Sequence, residues 1–336
     1  MTISPETVSI LLRTRDRPAL FPRALDDVLA QTFQDWRLIV INDGGDPTPV
    51  DRAVRAREDS FSGRVVVLRH TTPRGHGEAL NAGLEVAAGR YFAVHDDDDT
   101  WHPDFLALTV AFLSEAAHGK LAGVATNCAL ARERILDGTI IESERIPWPL
   151  FETAIDLANM LIRNRIPPIS MLLRREIADR AGRYDGELSA LEDWDFYLRI
   201  LMYADIGTID RILAFYHVRS EISGTSNDNT VIAGADRHEA QAALLRNRAI
   251  RRAMREDPAS LGVLQPLLQR LDAQNRLLTE MRRDVDNRLA HLEASMTLVH
   301  LTAAWHYKML APVQRLWSAA GRLSSFLRRG QRTGPG

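Results

Sequence analysis

The sequence predicts an α/β fold, a mostly parallel sheet with helices on both faces, followed by a long helical extension. Three observations carry this prediction. Short β-branched and aliphatic runs alternate with helically spaced segments through the first hundred residues. Those runs read as strands covered on both faces, as in parallel sheets. From about residue 236 strand signals stop, and apolar residues fall at alternating three- and four-residue spacings.

The elements follow in order. Val8–Leu12 is a strand. Leu20, Ala24, Leu25, Val28 and Leu29 share one face of a helix over 19–31. A strand at Arg37–Ile41 ends in Asn42-Asp43-Gly44-Gly45, and a polar helix covers 48–58. Val65–Leu68 is another buried strand. A glycine turn, Gly75-His76-Gly77, opens a helix carrying Leu80, Leu84, Val86 and Ala87. The strand Arg90–Val94 runs into His95 and four aspartates. The middle of the chain is mixed: helix 104–115, strand 121–130, helix 151–163, strand Ile169–Leu173, a helix starting near Leu191-Glu192-Asp193, and strand Ile212–Val218.

Composition sets the bounds. The 336 residues suit one large domain with an appendage, or two ordinary domains. A 45% hydrophobic and 26% charged chain is an ordinary globular one, and a net charge of −2 excludes a generic nucleic-acid binder. The single cysteine, Cys128, excludes an internal disulfide, fits a reducing compartment and reads as a buried inert thiol. The N-terminus reads directly into a strand rather than a signal peptide, and no apolar stretch is long enough to span a bilayer. The expected location is cytoplasmic, with any membrane met at the inner surface.

Charge divides the chain. From Asp236 onward there are about eight more basic than acidic residues, and after His300 there is no Asp or Glu. Leu264, Leu267, Leu271, Leu278, Met281 and Val285 form a coiled-coil-like seam, with Gln274 filling one position. After a four-residue stutter Leu289, Leu292, Met296 and Val299 continue it. Such a seam serves either a homo-oligomer or packing on the chain's own first domain. Residues 305–336 hold an amphipathic helix in which Lys308, Arg315, Arg322 and Arg329 recur every seven residues opposite an apolar face. It is expected to lie on an anionic membrane surface or to dock on a partner subunit. The resulting division is 1–235, 236–304 and 305–336.

The chemistry sits at strand ends, where open α/β sheets bind ligands. Asp96-Asp97-Asp98-Asp99 delivers four carboxylates to one turn, which is costly unless a cation neutralises them. Oxygen donors suit Mg²⁺ or Mn²⁺, and Mg²⁺-type sites use one or two carboxylates and complete their shell with phosphate and water. The same run would also serve as a solvated loop capping the next helix. Asp43 before two glycines either accepts a hydrogen bond from a ligand or belongs to an ordinary turn. Glu192-Asp193-Trp194-Asp195 either caps a helix or supplies a general base beside an aromatic platform, with Trp194 as a sugar contact or as core. Gly75-His76-Gly77 lacks the third glycine of a dinucleotide fingerprint, since Leu80 stands there.

Together these motifs resemble family 2 inverting glycosyltransferases of GT-A fold. Thr14-Arg15-Asp16-Arg17-Pro18 is similar to the family's Thr-x-Asn-Arg-Pro turn, with Asp16 in place of Asn. Asn42-Asp43-Gly44-Gly45 resembles its Asp-Asp-Gly-Ser turn, Asn81-Ala82-Gly83 its Asn-Ala-Gly helix, Asp96–Asp99 with Trp101 and Pro103 its Asp-x-Asp segment, and Glu192-Asp193 its acceptor-side motif. The series is in order over about residues 7–225. The resemblance implies inverting transfer from a nucleotide-diphosphate sugar to an acceptor hydroxyl, in surface-polysaccharide or glycolipid synthesis, with a saccharide or lipid-linked acceptor. It implies donor-nucleotide contacts at Thr14, Asp16, Asp43, Asn81, Asp96 and Asp97, with Asp43 reading the base and Asp96 near the ribose. It implies Mn²⁺ or Mg²⁺ on Asp98 and His217, acceptor contacts at Glu192 and Trp194, and Asp193 as base.

Two departures stand out. Leu80 replaces an Arg that often precedes the Asn. Tyr216-His217-Val218-Arg219 reverses the frequent Tyr-Arg-x-His, so either His217 or Arg219 takes the metal or phosphate contact. A sugar nucleotidyltransferase would need a glycine-rich loop after the first strand, and Thr14–Pro18 contains no glycine. The non-enzymatic alternative is a coiled-coil scaffold with a degenerate transferase domain.

Overall fold

The computed structural model of the chain describes residues 7–136, 139–148, 155–219, 235–257, 259, 262, 266–267, 269–290, 292 and 296. Contacts divide the chain into two units, Met1–Ala249 and Ile250–Gly336.

The first unit opens with β1 (Val8–Thr14), α1 (Phe21–Leu29), β2 (Trp36–Asp43), α2 (Pro47–Arg55), α3 (Glu58–Phe61), β3 (Val65–His70), α4 (His76–Val86) and β4 (Tyr91–Asp96). These four strands pair in parallel in the order β3-β2-β1-β4. Both faces are covered, which is why the strands read as continuous apolar runs. Val8, Ile10 and Leu12 face one core, together with Leu38, Val40 and the α1 residues Ala24, Leu25 and Val28. Leu11, Ile39, Ile41, Phe92 and Val94 face the other, with Ala79 and Leu80 of α4. Leu80, which stands where the resembled family often has an Arg, packs in this core at 1% exposure.

The second half is not parallel throughout. It contains β5 (Thr100–Trp101), α5 (Phe105–Ser114), β6 (Gly123–Leu136), β7 (Thr139–Trp148), α6 (Leu157–Ile162), β8 (Met171–Arg174), α7 (Arg175–Ala181), α8 (Glu192–Leu201) and β9 (Ile206–Arg219). β8 runs antiparallel to β4 and β6, β7 antiparallel to β6, and β5 antiparallel to β9, while β6 and β9 are parallel. The expectation of a mostly parallel sheet is corrected here to a mixed one. β6 and β7 are too close in sequence for a helical crossover and can pair only as a hairpin. β7 gave little signal because it is mostly exposed and polar, with no buried face to set a period. Cys128 is fully buried on β6, and burial pushes its thiol up to about 12, as an inert core thiol requires.

Helix α9 (Ala235–Glu256) crosses the expected boundary at residue 235. Its Leu245 is buried, Gln241 Nε2 donates to Ser189 Oγ at 3.2 Å, and Arg248 pairs with Asp185. In the second unit residues 269–290 are helical. The seam residues Leu267, Leu271, Leu278, Met281, Val285, Leu289, Leu292 and Met296 are exposed. Leu264, Val299 and the whole 305–336 segment lie outside the described residues, so the proposed amphipathic helix is not described. Among the described residues no helix is long and apolar enough to cross a membrane.

Candidate functional site

β4 delivers the aspartates, and its neighbours divide them. His95 is fully buried; its ring lies 2.9 Å from Asp27 Oδ2, and the same oxygen accepts from the Trp101 backbone N–H at 2.8 Å. The turn between β4 and β5 is thereby held at both ends. Asp97 accepts from Thr14 Oγ1 at 2.7 Å and from Arg17 at 2.8 Å. Asp98 pairs with Arg17 at 3.1 Å and with Arg219. Asp99 turns inward, where its Oδ1 accepts from the His217 backbone N–H at 2.8 Å. Burial, with Asp98 and Asp96 nearby, holds the Asp99 carboxyl well above the usual range. Asp96 faces His76, at 3.3 Å. Burial opposes its ionisation, but the His76 bond and charge keep it below its ordinary value.

The cation that four carboxylates demand is thus supplied in part by the protein itself, from Arg17, Arg219 and His76. A hub stands behind them. Glu133 on β6 has a fully buried side chain and lies 2.5 Å from Arg23, 2.5 Å from Arg219 and 2.8 Å from His217 Nδ1. Burial works against its charge, yet these bonds and cations hold it at about 2. Stability from Glu133 is therefore complete above its unfolded value and is lost as pH falls through the window down to about 2. Replacing Glu133 with Ala strands two guanidinium groups and is expected to cost about 3–5 kcal/mol, read as a lower urea midpoint.

Several expected ligand contacts take other partners. His217, expected on a metal, is 2% exposed and uses both ring nitrogens, Nδ1 with Glu133 and Nε2 with Thr100 Oγ1 at 2.8 Å. Arg219 is the member of that motif that reaches Asp98. Asp43, expected to read a base, is fully buried. Its Oδ1 accepts from the Arg74 N–H at 2.9 Å and meets His70 at 2.9 Å, while Oδ2 takes Arg13 at 3.0 Å and the Gly75 N–H at 3.2 Å. It anchors the loop ahead of α4. Asn81, expected on the donor nucleotide, exchanges two hydrogen bonds, each 2.9 Å, with the Tyr184 backbone. Trp194 is core, 3% exposed, with its indole N–H donating to the Met160 carbonyl at 2.6 Å. Asp16 is exposed in a left-handed conformation, φ 53°, and accepts from the Asp46 N–H at 2.9 Å.

The acceptor-side pair remains open to chemistry. Glu192 bonds His76 Nδ1. Asp193, partly accessible, accepts from Asn164 Nδ2 at 2.7 Å. Burial first, and then the neighbouring Glu192 charge, push its carboxyl up to about 7. A carboxylate titrating there suits general-base work at neutral pH. The sequence reading missed Arg17, Arg23, His76, Glu133 and Asn164. Of these, Arg17, inside the Thr14–Pro18 turn, and His76, between two glycines, had a local signal.

A divalent cation suits the hard carboxylate oxygens of Asp98, whose Oδ2 pairs with Arg17 and Arg219. Among the described residues no three His, Cys, Asp or Glu side chains converge as a complete metal set. Any ion there must complete its shell with phosphate oxygens and water.

A sheet that gathers carboxylates and arginines at its strand ends has the layout of an α/β ligand site. The chain belongs to glycosyl transferase family 2, whose model matches residues 9–179. A PGL/p-HBAD biosynthesis glycosyltransferase of Mycobacterium tuberculosis is 25% identical over 225 residues, covering 65% of this chain and 78% of that protein. The fold is GT-A-like. The crystal structure of S. aureus TarS 1–349 superposes with a TM-score of 0.52 at 18% identity, over 63% of this chain and 60% of that one. Its complex with UDP-GlcNAc gives 0.52 at 20% identity, over 76% of this chain and 75% of that one.

Proposed function

We propose that this chain transfers a sugar from a nucleotide-diphosphate sugar to an acceptor hydroxyl, with inversion, using Asp193 as the base. The observation that carries this reading is a carboxyl raised to about 7 at the start of α8, linked through Glu192 and His76 to Asp96 of the donor turn. TarS, which shares the fold, was solved with UDP-GlcNAc. The donor's ribose is assigned to Asp96 and its diphosphate to the neighbourhood of Asp98 and Arg219. Thr14 and Asp97 brace that turn, and Asp43 shapes the loop at the base end. Mn²⁺ or Mg²⁺ held by Asp98 would supply charge neutralisation for the departing nucleoside diphosphate.

Asn164 orients Asp193, which takes the proton from the acceptor hydroxyl. The resulting oxygen attacks the anomeric carbon from the face opposite the leaving diphosphate, so the configuration inverts. Proximity supplies much of the rate. Residues 1–235 are read as the catalytic domain, 236–304 as the helical extension and 305–336 as the basic amphipathic tail. The acceptor is read as a saccharide or lipid-linked glycan at the inner membrane face.

A panel of nucleotide-sugars with Mn²⁺ or Mg²⁺ tests the reading. Release of nucleoside diphosphate from one donor, abolished by a chelator and restored by metal, is expected. Release unaffected by chelation would remove the metal from the proposal, and no release from any donor would remove the transferase.

A further inference from the structure

His76 is used by neither the metal nor the base, yet it touches both halves of the site. Its Nε2 lies 3.3 Å from Asp96 Oδ1, and its Nδ1 bonds Glu192 Oε1. We propose that His76 is the positioning residue that ties the donor-side Asp96 to the acceptor-side Glu192 and so fixes Asp193 against the donor. This rests on the transferase reading above and deepens it.

The surrounding backbone is built for that bridge. His76 is the first residue of α4, and that turn presses directly on the segment leading to α8. A Cβ on Gly77 would stand 3.1 Å from the Asp185 carbonyl oxygen, and one on Gly186 would collide with the Glu78 carboxylate. Gly77 therefore permits a backbone approach that a larger residue would crowd. The two Asn81–Tyr184 bonds bolt the same surfaces together one turn further on. Leu191, directly before Glu192, adopts a left-handed backbone at φ 65°, which is rare and costly for a branched side chain. The chain accepts that cost at the residue that aims Glu192 at His76.

The bridge also has the right charge. Burial disfavours a charged imidazole, but Glu192 and Asp96 together push His76 up to about 10. A permanently cationic ring between two carboxylates holds both, where a neutral side chain of the same size would hold one at most. Glu192 and Asp193 are consecutive on α8, so a Glu192 that swings free carries the base with it.

The test is a double-mutant cycle in sugar transfer by the full-length chain. His76→Ala is expected to lower kcat for transfer by about 100-fold, the cost of misplacing a reacting group by about an ångström, with a much smaller change in donor KM. Glu192→Gln alone should produce a similar fall, and the double variant should be no worse than either single one. His76→Arg, which can still bridge two carboxylates, should recover most of the loss. Gly77→Ala presses on the Asp185 carbonyl at the same joint without touching a charge and should reproduce the kcat-over-KM pattern. Wild type that transfers sugar while His76→Ala keeps its kcat, or a double variant whose losses multiply, overturns the positioning role and leaves the transferase standing. Wild type that turns over no nucleotide-sugar removes both.

Discussion

Asp193→Asn is expected to reduce sugar transfer by about 10³- to 10⁴-fold, the upper range for removal of a general base, while donor binding persists. The side chain keeps its shape and its place beside Asn164, so the loss reports proton transfer. The pH dependence follows from the sign of the shift. A base works only when deprotonated, so wild-type kcat should rise through pH 7 and level off above it. Glu192 is one cause of the raised value, so Glu192→Gln should move that rising limb to lower pH at the same time as it lowers the plateau. Stability runs the other way. The folded state holds the Asp193 proton from 3.8 up to about 7 while the unfolded chain releases it, so folding loses stability as pH rises through that window. Asp193→Asn removes this loss and should melt no lower than wild type at pH 8. A variant that keeps transfer activity, or that fails only because it unfolds, would sink the assignment.

Asp98→Ala is expected to lower nucleoside diphosphate release by about 10³-fold, because several kcal/mol of stabilisation for the leaving group depends on that carboxylate. Residual activity should no longer respond to Mn²⁺. The neighbouring Asp99 gives the control. Its carboxyl is pushed well above the usual range by burial and turned onto the β9 backbone, so Asp99→Asn should cost far less and retain the Mn²⁺ response. Arg219→Ala should resemble Asp98→Ala in rate yet keep a metal response, since it removes a cation beside the carboxylate and leaves the carboxylate itself. An Asp98→Ala protein with undiminished, metal-responsive release would contradict the role given to Asp98.

The parallel half of the sheet was legible from the sequence because its strands are buried on both faces and its helices have one apolar face each. β1, β2, β3 and β4 and their helices appear within a few residues of where periodicity puts them. The antiparallel half was harder. β7 is exposed, β5 is two residues long, and neither carries a pattern that a linear reading can detect. Within the site, residue type pointed to the acidic turn and to Glu192-Asp193. It could not divide the labour within them. Asp96, Asp97, Asp98 and Asp99 look alike in sequence, and only the fold turns Asp99 inward, braces Asp97 on Thr14 and pairs Asp98 with arginine and Asp96 with His76. Asp43, Asn81 and His217 match ligand-binding motifs, yet the structure gives each a full set of protein partners. Glu133 carried no signal because its three partners, Arg23, His217 and Arg219, come from α1 and β9, far away in the chain.

What the sequence determined by itself was which residues could form strands, where those strands ended, and that acidic chemistry would collect at the ends. Burial and period are local properties, and a single chain displays them. What the tertiary structure alone decided was partnership and the direction of titration: which carboxyl is buried and pushed up, which is held by arginine, and how a histidine at the start of one helix reaches a glutamate more than a hundred residues away. Those depend on distance and desolvation, which exist only once the chain has folded.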